Sequence, residues 1–155
     1  MKNLLIYLND HLAASVGALE LLDNLISSSE GAELTAFLTK LRDEIAEDQT
    51  VLKDLLQRLG GSESAVRKAG AWVTEKLTRA KLSGDEEELG LMQALEGLSL
   101  GILGKRALWR TLSAASEAIP ELRGVDYPGL EDRAEKHFAL VEGRILQNAG
   151  EVLRR

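Results

Sequence analysis

Residues 32–61 read AELTAFLTKLRDEIAEDQTVLKDLLQRLGG, and the fold follows from where the leucines fall in this stretch. Leu34, Leu38, Leu41, Ile45, Leu52, Leu55 and Leu59 recur four and three apart, with one interruption. Such a period draws a single apolar stripe down an α-helix, as packing in a bundle requires. The interruption is Asp48, which takes a leucine's slot, and Glu44 lies one turn earlier on the same side. Two carboxylates facing a core are costly unless a basic partner, a proton or a metal compensates them. They are the first candidates for chemistry in this chain.

Outward from that helix, composition narrows the choices. A chain of 155 residues is long enough for one domain with a real core, and it is expected to be a single domain over residues 1–155. Hydrophobic residues at 45% and charged residues at 28% give the balance of a soluble, ordered protein. Aromatics at 4% and only two prolines disfavour a sandwich or barrel and favour helices. A net charge of -6 argues against a general nucleic-acid binder. Cysteine is absent, which removes disulfides, thiolate zinc sites and cysteine nucleophiles. The opening MKNLLIYLNDH turns polar too soon for a signal peptide, and LGLMQALEGLSLGILG, broken by Glu96, falls short of a membrane span of roughly 20 residues. A cytoplasmic protein without a membrane segment is the expectation.

Taken in order, the chain divides at its glycine and serine punctuation. A first helix is expected from about residue 3 to 28, with Leu5, Leu8, Leu12, Leu19, Leu22 and Ile26 on its seam, Ser15 midway, and His11 one turn before Ser15. The short SSSEGAE connection makes it an antiparallel partner of the second helix, which stops at Gly60-Gly61. A third, shorter helix is expected to about Leu82, with Arg67, Lys68, Lys76, Arg79 and Lys81 on a solvated face. A long helix over about 85–118 carries Leu91, Leu95, Leu98, Ile102, Trp109 and Leu112 on a broad apolar side. Gly90, Gly97, Gly101 and Gly104 share another of its sides, where either a neighbouring helix or a ligand would approach closely. Residues 119–129 hold both prolines and read as a loop, and a last helix over about 130–153 aligns Leu130, Ala134, Phe138, Val141, Ile145 and Val152, with His137 and Asn148 at its border.

The second helix is about 40 Å long at 1.5 Å per residue, and residues 60–84 are long enough to travel that length. With this helix order, its mid-height polar positions, and the stretches LRDEIAEDQTVLKDLLQRLGG and EDRAEKHFALVEGRIL, the chain resembles the ferritin-like family, particularly its small bacterial stress-associated members. The resemblance implies an all-α, antiparallel four-helix bundle with a long, partly helical crossover between the second and third bundle helices. In di-iron members each half gives a Glu from its first helix and Glu-x-x-His from its second, and these hard ligands hold iron or manganese.

Carried onto this sequence, the implied ligand set is short. Ser15 stands at the first-helix position, Glu44 is followed three residues on by the outward Glu47, and Asp48 is the better inward partner. Glu96 has Ser99 three residues later, and His137 has Ala134 three residues earlier. One metal site from Glu44, Asp48, Glu96 and His137, with His11 as an outsider, is the most that the family pattern implies. The structural reading of the same residues pairs Glu44 and Asp48 with Arg106 or Lys105, hydrogen-bonds the histidines at the core edge and leaves Glu96 exposed. No phosphate loop or nucleophile elbow is present, and Trp72 and Trp109 read as packing or interface residues. The expectation is a non-catalytic binding or assembly protein with a degenerate metal site, forming a homodimer. The competing one is an iron- or manganese-dependent oxidase or iron-handling stress protein.

Overall fold

The computed structural model describes residues 1–62 and 87–155. The expected third helix, its basic face, most of the 60–84 crossover and Trp72 lie outside the described residues. Four long helices account for most of the rest: α1 (Lys2–Ser28), α2 (Ala32–Arg58), α3 (Glu87–Ala115) and α4 (Tyr127–Val152). A 3-10 turn, Pro120–Leu122, precedes α4. None of the helices among the described residues is long and apolar enough to cross a membrane. They fall into two compact units, one of residues 1–62 with 119–123 and one of residues 87–118 with 124–155.

In the first unit the leucine stripe becomes the core. Leu38, Leu41, Ile45, Leu52 and Leu55 of α2 are buried, with Leu8, Leu12, Leu22 and Leu25 of α1. Each such side chain contributes about 1.5–3 kcal/mol by leaving water. Arg42 reaches Asp23 at 2.9 Å and the Gln49 amide donates to Ser15 Oγ at 3.0 Å. Numbers rise on α2 as they fall on α1, so the two helices form a hairpin running in opposite directions. Gly31, at φ 103°, makes the tight turn between them in a conformation that side chains disfavour.

At the other end of α2, the Gly60 N–H bonds the Gln57 carbonyl at 3.0 Å and the Gly61 N–H bonds the Leu56 carbonyl at 2.9 Å. Gly60 lies at φ 72°. This is the paired closure by which a left-handed glycine ends a helix, so the stop read from Gly60-Gly61 has its mechanism. Arg58 then donates from Nη1 to the carbonyls of Glu121 and Arg123, at 3.3 and 3.1 Å, tying residues 119–123 to this unit.

In the second unit, Leu95, Leu98, Ile102, Leu108, Trp109 and Leu112 of α3 are buried, as are Tyr127, Leu130, Ala134, His137 and Val141 of α4. Arg106 meets Glu135 at 2.8 Å, Arg110 meets Glu131 at 3.3 Å, and Arg155 meets Glu88 at 2.9 Å. The order again runs oppositely on the two helices. Two expectations need correction here. Helix α4 starts at Tyr127, not Leu130, because Pro128 sits in its first turn, where a missing N–H costs nothing. The Asp126 carboxylate caps that turn by accepting from the Gly129 N–H at 3.1 Å. His137 is in the buried register with Leu130, Ala134 and Val141, whereas Phe138 and Ile145 are only half-buried.

The glycine stripe of α3 is not uniform. Gly90 is buried, but a Cβ added at Gly101 or Gly104 would meet nothing within 4 Å. No neighbouring helix among the described residues requires glycine at those two positions. Gly101→Ala and Gly104→Ala are expected each to stabilise the chain by about 0.5–1 kcal/mol, through helix propensity alone. Urea denaturation followed by circular dichroism reads the shift; a loss of stability in either variant would mean that something covers the stripe.

Candidate functional site

Glu44 and Asp48 are one turn apart on α2, as their spacing requires, but they differ in surroundings. Asp48 is 2% exposed in the seam between Ile45 and Leu52. Glu44 keeps 32% of its side chain in solvent and lies 3.9 Å from the Lys40 ammonium, a loose helical pair worth little. It also borders a shallow, open groove that runs along the outer side of α2 from Ala32 past Thr35 and Thr39. Asp48 is therefore the inward acid of the two.

The family position at Ser15 is filled by a hydroxyl hydrogen-bonded both as donor and as acceptor. Its Oγ donates to the Leu12 carbonyl at 2.7 Å and accepts from Gln49 at 3.0 Å. Gln49, next to Asp48 on α2, was not among the expected site residues. The only sequence signal for it is that a polar side chain on one helix lies opposite a polar slot on the other. His11 packs edge-on against Tyr7 at 4.7 Å and is half-buried. Burial pushes its pKa below the usual histidine value, with Asp10 opposing.

In the second unit, Glu96 is exposed while His137 is 1% exposed. Lys105 Nζ lies 3.1 Å from His137 Nδ1. With Lys105 as an ammonium, which has no lone pair to give, Nδ1 is the acceptor in this contact. Arg106, the other cation considered for Asp48, directs its guanidinium to Glu135 and to Glu131, the latter at 3.7 Å. Ser99 bonds its own helix at the Glu96 carbonyl, at 2.7 Å, and Ala134 is buried beside His137.

Within each unit the candidate ligands are thus unequally placed: one buried acid and one half-exposed acid in the first, one buried imidazole and one exposed acid in the second. Among the described residues no three His, Asp or Glu side chains gather as a metal ion would require. A buried imidazole holding an ammonium can orient a lysine and keep water out. Trp109 adds one further buried polar atom, an indole Nε1 with no hydrogen-bond partner among the described residues. No protein-family model, curated protein or solved structure matches this chain.

Proposed function

We propose that the chain is a ferritin-like, antiparallel four-helix bundle with a degenerate metal site, acting in the cytoplasm without catalysis, through binding or assembly. The observation that carries this reading is the Lys105 ammonium 3.1 Å from His137 Nδ1. A positive charge at that distance opposes a divalent cation on the same ring, and in a buried site the repulsion is poorly screened. The hydrogen-bonded Ser15 and the exposed Glu96 support it further, since both stand where the family pattern wants a carboxylate ligand. These donors fit a resident ion poorly. The crossover between the second and third bundle helices, the homodimer and a role in stress belong to the same proposal.

The alternative, an iron- or manganese-dependent oxidase or iron-handling protein, draws on a different observation. Asp48 is almost fully buried, as a ligand would be. Metal analysis separates the two readings. Protein purified without chelator, with Glu44→Ala and His137→Ala variants alongside, is expected to carry only substoichiometric iron or manganese in all three. A full equivalent in the parent chain, lost in both variants, would establish the oxidase or iron-handling reading instead.

A further inference from the structure

We infer that the Arg123–Gly124 peptide bond is a guarded cleavage site for a protease that cuts after arginine, and that Arg58 is its guard. Neither the metal reading nor the assembly reading bears on it. Residues 119–123 pack with the α1–α2 hairpin, whereas residues 118 and 124 on either side belong to the other unit. A short strap is thus docked on a unit to which neither of its flanking stretches belongs. Among the described residues, Arg123 is the only arginine or lysine before Arg154 that lies outside the four helices.

Three kinds of contact hold the strap. Leu122 is 0% exposed, although Glu121 and Arg123 beside it are exposed. The Leu122 N–H donates to the Ile119 carbonyl at 3.1 Å and the Arg123 N–H to the Pro120 carbonyl at 3.0 Å, curling the chain into its 3-10 turn. Arg58 Nη1 donates to the carbonyls of Glu121 and Arg123, at 3.3 and 3.1 Å. Gly124, at φ 85°, then turns the chain toward α4. Arg123 and Gly124 are both exposed, so the bond between them can be reached, but not in the shape a protease needs.

A serine protease takes its substrate extended and draws the carbonyl oxygen of the cut bond into an oxyanion hole. In the docked strap that oxygen is the one on Arg123, which accepts from Arg58. The residue before it, Leu122, is curled and buried. The strap must therefore open before it is cut. Where opening and closing are fast, the cutting rate follows the fraction of molecules that are open. Both Arg58 bonds are solvent-exposed and end on neutral carbonyls, so each is modest and the guard can be released. Hydrolysis then breaks the C–N bond, with the hydroxyl of water joining the Arg123 carbonyl carbon and its hydrogen the Gly124 nitrogen. That cut severs α3 from α4 and leaves α1 and α2 joined.

Trypsin on the full, natively folded chain is the test, with the initial rate of cutting at each bond read by mass spectrometry. In the parent, Arg123–Gly124 should be cut roughly tenfold or more slowly than in a synthetic peptide of residues 117–128. Arg58→Ala should raise the rate at that bond roughly tenfold, since only the strap loses its donor. Cutting at Lys40–Leu41, inside α2 of the same unit, should stay unchanged, because that bond reports unwinding of a helix. A parent cut as fast as the peptide overturns the inference, and so does an Arg58→Ala rate equal to the parent's. Equal acceleration at both bonds overturns it too, since Arg58 would then support the whole unit and not the strap.

Discussion

Trp109→Ala is expected to lower stability by about 3–5 kcal/mol, the range for removing a fully buried aromatic side chain. Trp109 is 1% exposed, lies between buried Leu108 and buried Leu112, and its ring centre is 6.4 Å from that of Tyr127, with the planes tilted. Neighbouring helices cannot collapse fully into so large a space, so a cavity term adds to the lost transfer free energy. Against a total of about 5–15 kcal/mol for a typical protein, little margin would remain. Trp109→Phe separates size from polarity. It keeps a ring and deletes an indole N–H that has no hydrogen-bond partner among the described residues, so its cost should be well under half that of alanine. Urea midpoints for the two variants, read by far-ultraviolet circular dichroism, make the comparison. Equal losses would mean that the N–H is satisfied in solution, and a loss below about 1 kcal/mol for alanine would remove Trp109 from the core.

The parts of the fold that could be read from the chain are those set by local rules. The period from Leu38 through Leu55 placed α2 and its buried side, and Gly60-Gly61 ended it, because helix periodicity and a left-handed glycine act within a few residues. Helix α4 starts three residues before the expected Leu130, because proline is tolerated in a first turn and Asp126 supplies the cap. The sequence expectation puts Phe138 on the seam and His137 at its border, whereas His137 is the buried one. Which of two adjacent positions turns inward depends on the partner helix, and that choice is invisible in one helix's pattern. The Ser15–Gln49 and Lys105–His137 contacts join residues 34 and 32 positions apart and depend on helix register. Glu96 shows the same limit from outside, since depth along a helix could be estimated but rotation about its axis could not.

Asp48→Ala is the second large effect, and it bears on function. Asp48 takes the slot of a seam leucine and is 2% exposed, so its charge is compensated within its surroundings. Removing one member of a buried, compensated set strands the other and leaves a small void, and about 3–5 kcal/mol is the usual cost. The chelator dependence of that loss reveals what compensates the charge. A bound metal stabilises the folded chain by mass action, about 2.7 kcal/mol when it is present at a hundred times its dissociation constant. Chelation would then lower the melting temperature of the parent and leave Asp48→Ala unmoved. If protein groups compensate Asp48, chelation moves neither, and the substitution costs the same with or without it. The second pattern is expected here, because among the described residues no three His, Asp or Glu side chains gather as a metal ion would require. Melting curves of both proteins, each with and without chelator, would sink this expectation if the parent alone shifted downward.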